Sequence, residues 1–265
     1  SVNGTGPVQE STSVAVVPSW KIPTALTIPT INYTSALKLE SSNSESVAFS
    51  SSINTSSTTT FSMWLKPTST NNQYLLSTGS GVNGILIRNN KIYVYDFNAI
   101  SGFPQSSDIS STLADGNWHH LAITRDNRSV NFYLDGSTIN SGTPLFTADF
   151  VSFNVSDFGK TYATSQGAYY DGEVSNLAIF NSVLSQPNIQ TLYNNGQPQD
   201  NISFTPTNWF KLNSINGTTV TDTNGSNDGT TSGSIETIDV KTSDLNIPVN
   251  GVSTTLPSTA LQQSD

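Results

Sequence analysis

Asp171 and Glu173 stand two residues apart where a loop enters an extended segment, the offset that puts two carboxylates on one face of a strand. Two carboxyl groups about 5 Å apart serve a retaining glycoside hydrolase as acid and nucleophile. Here the pair has no third carboxylate beside it. The chain holds only five glutamates, Glu10, Glu40, Glu45, Glu173 and Glu236, and no E-x-D-x-E strand runs through any of them. His119 and His120 follow Trp118 inside a strand-like run. Neighbours in a strand point to opposite faces, so the two imidazoles cannot share a metal. No G-x-S-x-G elbow supplies a serine nucleophile, and both histidines are read as structural, hydrogen-bonded within the fold. With no cysteine, thiol, disulfide and zinc–thiolate chemistry are excluded. The titratable residues therefore point to binding or building rather than to catalysis.

Two stretches have the character of ligand sites. The run Asp222, Asn224, Gly225, Asn227 and Asp228 is rich in oxygen and punctuated by glycine, as calcium loops are. It is out of register with the EF-hand pattern and lacks the terminal Glu, and Asn-Gly and Asp-Gly also make ordinary turns. Calcium is therefore a candidate cofactor at Asp222, Asn224, Asn227 and Asp228, with a plain turn as the alternative. Sugar recognition needs an aromatic face for the pyranose ring and polar groups for its hydroxyls. Tyr169, Tyr170 and Asp171, with Phe103 in the 97–110 loop, are the candidate glycan-binding set; tyrosines so placed also serve as packing lids.

Composition narrows the partners. The 265 residues carry a net charge of −9, and their ten Lys and Arg are scattered singly, so the basic footprint of a nucleic-acid binder is missing. Charged residues are 11% of the chain, well below the usual quarter. Ser, Thr, Asn and Gly take their place, giving the polar, uncharged surface expected outside a cell or on a virion. The longest apolar runs, such as 14–17, are far too short to span a bilayer.

The elements that must position these residues are strands. Alternation of apolar and polar residues marks 61–65, 84–88, 91–96, 118–125, 130–135 and 174–180. Asn89-Asn90 and Asp135-Gly136 supply turns that tolerate positive φ. Short strands with turns at this spacing predict a sandwich or barrel. One helix is predicted over 182–195, capped by Ser182 or Ser185 and closed by Asn194-Asn195-Gly196. Residues 1–35 and 241–265, rich in Pro, Ser and Thr, read as extended arms or as disordered tails. Trp20 and the apolar residues of 22–31 favour an arm that docks on another chain.

Four stretches carry a family resemblance. Ser35-Ala-Leu-Lys-Leu-Glu40 with Ser46-Val-Ala-Phe49 is similar to an opening strand pair. Phe61-Ser-Met-Trp64-Leu-Lys-Pro67 is similar to a second strand. Trp118-His-His-Leu-Ala-Ile-Thr124 with Val130-Asn-Phe-Tyr-Leu-Asp135-Gly136 is the most specific. Asp171–Phe180 with its following helix completes the set. Together they resemble the laminin-G-like, pentraxin-like branch of the concanavalin A-like superfamily over residues 35–196.

The resemblance implies an all-β fold, an antiparallel jelly-roll β-sandwich, and a non-enzymatic, lectin-like role. A unit around Trp209–Leu212 and Asn224–Gly229 that normally opens such a domain comes late here. It reads either as strands closing the one sandwich, over 204–238, or as the start of a truncated second copy. The domain expected is therefore 36–240 between two arms. The function expected is a surface recognition or structural protein of the kind seen on aquatic viruses and phages. Its arms would contact other virion or surface proteins and its sandwich would contact glycans, with self-association open. The alternative is a carbohydrate-binding module of a larger secreted bacterial or algal protein.

Overall fold

The computed structural model describes residues 35–79, 83–95, 103–141, 154–161 and 168–247. The expected N-terminal arm and most of the C-terminal tail lie outside the described residues.

The first half of the chain builds hairpins. After β1 (Ser35–Leu39) and β2 (Ser46–Asn54) come β3 (Thr58–Pro67), β4 (Gln73–Ser77), β5 (Gly84–Arg88) and β6 (Lys91–Tyr95). Asn89 and Asn90, at φ 48° and 62°, form the two-residue turn between β5 and β6, a geometry that suits the right-handed twist of the pair. Then follow β7 (His119–Asp126), β8 (Ser129–Leu134), β9 (Ser137–Thr138) and β10 (Asn154–Phe158). Asp135 and Gly136, both at positive φ, turn β8 into β9.

The second half adds β11 (Gly172–Phe180), the helix α1 (Gln186–Tyr193), β12 (Asn208–Phe210), β13 (Thr219–Val220), β14 (Gly229–Ser232) and β15 (Glu236–Asp239). Two antiparallel sheets result. One runs β15-β1-β11-β3-β7-β8-β9, with β12 also on β11; the other runs β13-β14-β2-β10-β4-β5-β6. The late strands divide between them: β12 and β15 join the first sheet, β13 and β14 the second.

Alternation decides what each strand buries. Leu37 and Leu39, Met63 and Leu65, Leu121 and Ile123, Ile85 and Ile87 face between the sheets in one core with Phe132, Phe158 and Phe210. The outward face of the first sheet is covered as well. Trp64, Trp118, Ala36, Val240 and Leu245 form one cluster there. Ala178, Phe180, Ile189, Leu192 and Trp209 form another beneath α1. Full burial of each large side chain contributes about 1.5–3 kcal/mol, so this outer layer is a substantial second source of stability.

Two boundaries differ from expectation. The helix is shorter than 182–195, because Thr60 of β3 holds the chain ahead of it: its hydroxyl donates to Ser182 O at 2.7 Å and accepts Leu184 N at 3.0 Å. Ser185 stands at the N-cap with Pro187 in the first turn, and Asn194 at φ 47° ends the helix. Residues 241–247, expected in the tail, pack on the sandwich. Trp118 N donates to Asp244 O at 2.7 Å, and Leu245 is buried.

Candidate functional site

β1, β11 and β3 lie side by side in register, with Lys38 opposite Glu173 and Glu173 opposite Lys66. Opposed residues in antiparallel strands share a face. These three point outward, because Leu37, Leu39 and Leu65 on alternate positions point into the core. Gly172 sits between the chains at φ 147°, where a Cβ would lie 2.5 Å from Lys66 O. Only glycine lets β11 approach β3 this closely.

Where the three strands end, a cleft of about 520 Å³ opens, walled by Lys38, Glu40, Lys66, Thr68, Asp171 and Glu173. The turn around Ala114 and Gly116 forms its far side. Asp171 is pinned from all sides. Its carboxylate accepts from Ser41 N at 3.0 Å and from the Thr68 hydroxyl, while its own N–H donates to Gln73 Oε1 at 2.9 Å. Burial pushes the Asp171 carboxyl up, but Thr68, Ser41 and Lys38 more than offset this and hold it below the usual carboxylate range. A glycosidase acid needs the opposite shift.

The lysines are committed. Lys38 pairs with Glu40 at 2.5 Å, and Lys66 with Asp244 at 2.6 Å and Glu173 at 3.4 Å. Charge alternates across the floor of the cleft, and the whole is a field of hydrogen-bond donors and acceptors open to water.

His119 supports the far wall. It is 1% exposed, with Nδ1 2.7 Å from Asp135 and Nε2 3.1 Å from Asp115, the residue between Ala114 and Gly116. Burial alone pulls this ring down, yet Asp135 and Asp115 outweigh it and raise it above the ordinary histidine value. A carboxylate at each nitrogen gives both N–H groups of the protonated ring an acceptor, which favours the charged form. His120 is its opposite: buried against Trp64 and bonded to Ser62 at 2.8 Å, it is pushed down to about 4.

The expected glycan set is dispersed. Asp171 lines the cleft. Tyr170 is fully buried, its ring edge-on to Phe158 and its hydroxyl donating to Glu173 O at 2.8 Å, so it has no face to offer a sugar. Period-two alternation back from Val174 through Gly172 already points Tyr170 inward. Tyr169 is half-buried beside it. Phe103 lies elsewhere, stacked on Tyr95 at 3.7 Å; the Tyr95 hydroxyl in turn accepts from Arg88 at 3.2 Å. Lys38, Lys66 and Thr68 were missed: alternation shows the two lysines facing outward, but which strands meet is not a local property.

The loop expected to hold calcium does not fit the ion. Asp222 Oδ1 accepts Trp209 N at 2.9 Å and Gly225 N at 2.9 Å, and Oδ2 accepts Asn227 N at 3.1 Å and Asn208 Nδ2 at 2.5 Å. A carboxylate has about four acceptor sites, and N–H groups occupy them all. Asn227 Oδ1 accepts Asn208 at 3.0 Å, Asp228 Oδ1 accepts Asp222 N at 2.8 Å, and Asn224 donates to Pro206 O at 3.2 Å. The alternative of an ordinary, Asx-organised turn is the one that fits. Among the described residues no three His, Asp or Glu side chains gather as a metal set. No helix among them is long and apolar enough to cross a membrane.

Comparison with known proteins gives the same architecture. A family model described as the concanavalin A-like lectin/glucanases superfamily matches residues 41–190. No curated protein matches the sequence. Among solved structures, a candidate carbohydrate-binding protein from Bacteroides ovatus is similar with a TM-score of 0.58 at 18% identity, over 84% of this chain. This chain spans 63% of the length of that one. A heptameric pentraxin from Limulus polyphemus is similar with a TM-score of 0.55 at 11% identity, over 78% of this chain and 95% of that one. At these identities the likeness concerns the fold. The family match covers more than half of the sequence, and the chain belongs to the concanavalin A-like lectin/glucanases superfamily.

Proposed function

We propose that this protein is a non-catalytic glycan-recognition sandwich acting at an extracellular surface, with the cleft around Asp171 as its contact. One observation carries the reading: an open cleft of about 520 Å³ lined by hydrogen-bonding side chains fixed by their neighbours. Preformed polar clefts that keep their donors and acceptors in place bind polyols without first ordering their own side chains. The low carboxyl of Asp171 supports binding over hydrolysis. So does the pairing of Glu173 with Lys66, which sets an ammonium against that carboxylate.

The setting we favour is the exterior of a virion or cell, with residues 1–34 and 248–265 tying the sandwich to neighbouring proteins or to further copies of itself. The uncharged polar composition supports the first point, and the apolar residues Trp20, Ile22, Leu26, Ile28 and Ile31 support the second. A module within a larger secreted protein is the second reading, favoured by the B. ovatus chain, which extends well beyond the matched part.

The experiment is a glycan array on the whole protein, followed by titration calorimetry with Asp171→Asn and Thr68→Val. Binding to a defined glycan that weakens in both variants is expected. Absence of any hit, or variants that bind unchanged, would refute the cleft as the contact. Deleting residues 1–30 tests the arm: the sandwich should stay folded while its association with neighbours is lost.

A further inference from the structure

The cleft at Asp171 does not end at Glu173. A second hollow of about 440 Å³ adjoins it, and the two share Lys66 and Glu173 as a common wall. Thr237, Ile238 and Asp239 of β15, with Lys241, close the second hollow. The register explains the continuity. Glu236 lies opposite Lys38, Lys38 opposite Glu173, and Glu173 opposite Lys66, so one row of outward side chains crosses β15, β1, β11 and β3. Strands lie about 4.8 Å apart, which makes this row roughly 14 Å long.

Signs alternate along the row, and Asp244 adds a carboxylate beyond Lys66. Over both hollows Glu40, Asp171, Glu173, Asp239 and Asp244 outnumber Lys38, Lys66 and Lys241, which disfavours a polyanion, while Lys38 and Lys66 are held in pairs with Glu40, Glu173 and Asp244. The floor presents donors and acceptors repeated at the strand spacing. An ammonium has three N–H donors, and Lys66 commits two, to Asp244 and Glu173.

We infer that the two hollows form one groove that takes an extended, neutral oligosaccharide lying across the strands, rather than a single terminal sugar. The inference rests on the glycan reading of the cleft. A neutral chain of sugars carries hydroxyls that both donate and accept along its whole length, matching a floor that alternates between the two. A polyanion would meet Glu236, Glu173, Asp171 and Asp244 along its path, and a polycation would meet Lys38 and Lys66. A single sugar would fill one hollow and leave the other, of similar size, without contact.

The test is calorimetry on the whole protein with gluco-, manno-, xylo- and arabino-oligosaccharides, each from the monosaccharide to the hexasaccharide. For the sugar that binds, affinity should rise at least about tenfold from the monosaccharide to the tetrasaccharide and then level off. Asp239→Ala and Lys241→Ala, both at exposed positions lining only the second hollow, should remove most of that gain with an unchanged melting temperature. Binding that is equally tight for the monosaccharide and the longer chains would overturn the groove while leaving the glycan reading intact. So would a length dependence unaffected by both variants. Absence of binding at every length would overturn the glycan reading and the groove together.

Discussion

Two loops of this sandwich carry an aspartate close before a glycine, and they use their carboxylates in opposite ways. At the rim, Asp171 is held by Ser41 and Thr68 yet lines an open cleft, with Gly172 letting the strands close behind it. In the late loop, Asp222 is 5% exposed and surrounded by N–H donors, with Gly225 packed where a Cβ would lie 2.3 Å from its Oδ2. The first carboxylate lines the wall of an open hollow. The second is an internal anion that ties Trp209 of β12 to the loop before β14. Oxygen-rich, glycine-punctuated sequence is common to both. What separates them is how many donors reach each carboxylate: the backbone N–H groups of Trp209, Gly225 and Asn227 and the Asn208 amide converge on Asp222, whereas Asp171 receives one backbone N–H, from Ser41, and the Thr68 hydroxyl.

The sharpest way to break this comparison is Asp222→Ala. It leaves the N–H groups of Trp209, Gly225 and Asn227 and the Asn208 amide without their acceptor, some of them buried. The expected loss is about 3–5 kcal/mol in chemical denaturation. A loss below about 1 kcal/mol would mean that the loop does not depend on this anion. Asp171→Ala should do the reverse. Its exposed bonds contribute little, so stability should fall by less than about 1 kcal/mol. Binding of the cognate glycan should nevertheless weaken about tenfold or more, or roughly 1.4 kcal/mol.

pH separates the regions further, because His119 supports the turn that walls the rim cleft. Its folded value is raised, so its contribution is complete below the ordinary 6.5 and is lost as pH rises through the folded value. Asp115 is lowered, because His119 and the Asn117 donors outweigh its burial; its contribution is present above 3.8 and is lost as pH falls. The turn should therefore be firmest between those limits. Proton NMR should show the His119 ring titrating above 6.5, with the Gly116 and Asn117 amides following it. Amides that ignore the ring would uncouple His119 from the cleft wall. The smallest effect expected is that of calcium. Melting temperatures measured with calcium and with a chelator should agree within about one degree, since a ligand stabilises only what it binds. A clear rise would reinstate a metal at the 222 loop.

Much of the fold was legible because it is written in short-range periodicity. Leu121 and Ile123 alternate with Ala122 and Thr124, and the same period carried back from Val174 turns Tyr170 inward. The turns Asn89-Asn90 and Asp135-Gly136 need positive φ, and their residue types admit it at low cost. The helix was legible as an element, and its start was narrowed to Ser182 or Ser185; Thr60, on a strand more than a hundred residues earlier, holds the chain ahead of it and leaves Ser185 as the N-cap.

The sequence by itself determined that strands form, where they turn, and which side chains share a face, because each of these depends on backbone sterics and a two-residue period. It also settled the absence of thiol chemistry and of a basic footprint. Only the tertiary structure decided which strands are neighbours, and therefore which charges meet. Lys38, Glu173 and Lys66 come from three distant segments and become one row through pairing register. The fates of the two aspartates were decided there as well. A carboxylate's lone pairs go to whatever donors the fold brings within 3 Å, and for Asp222 those donors belong to residues on both sides of a closed loop.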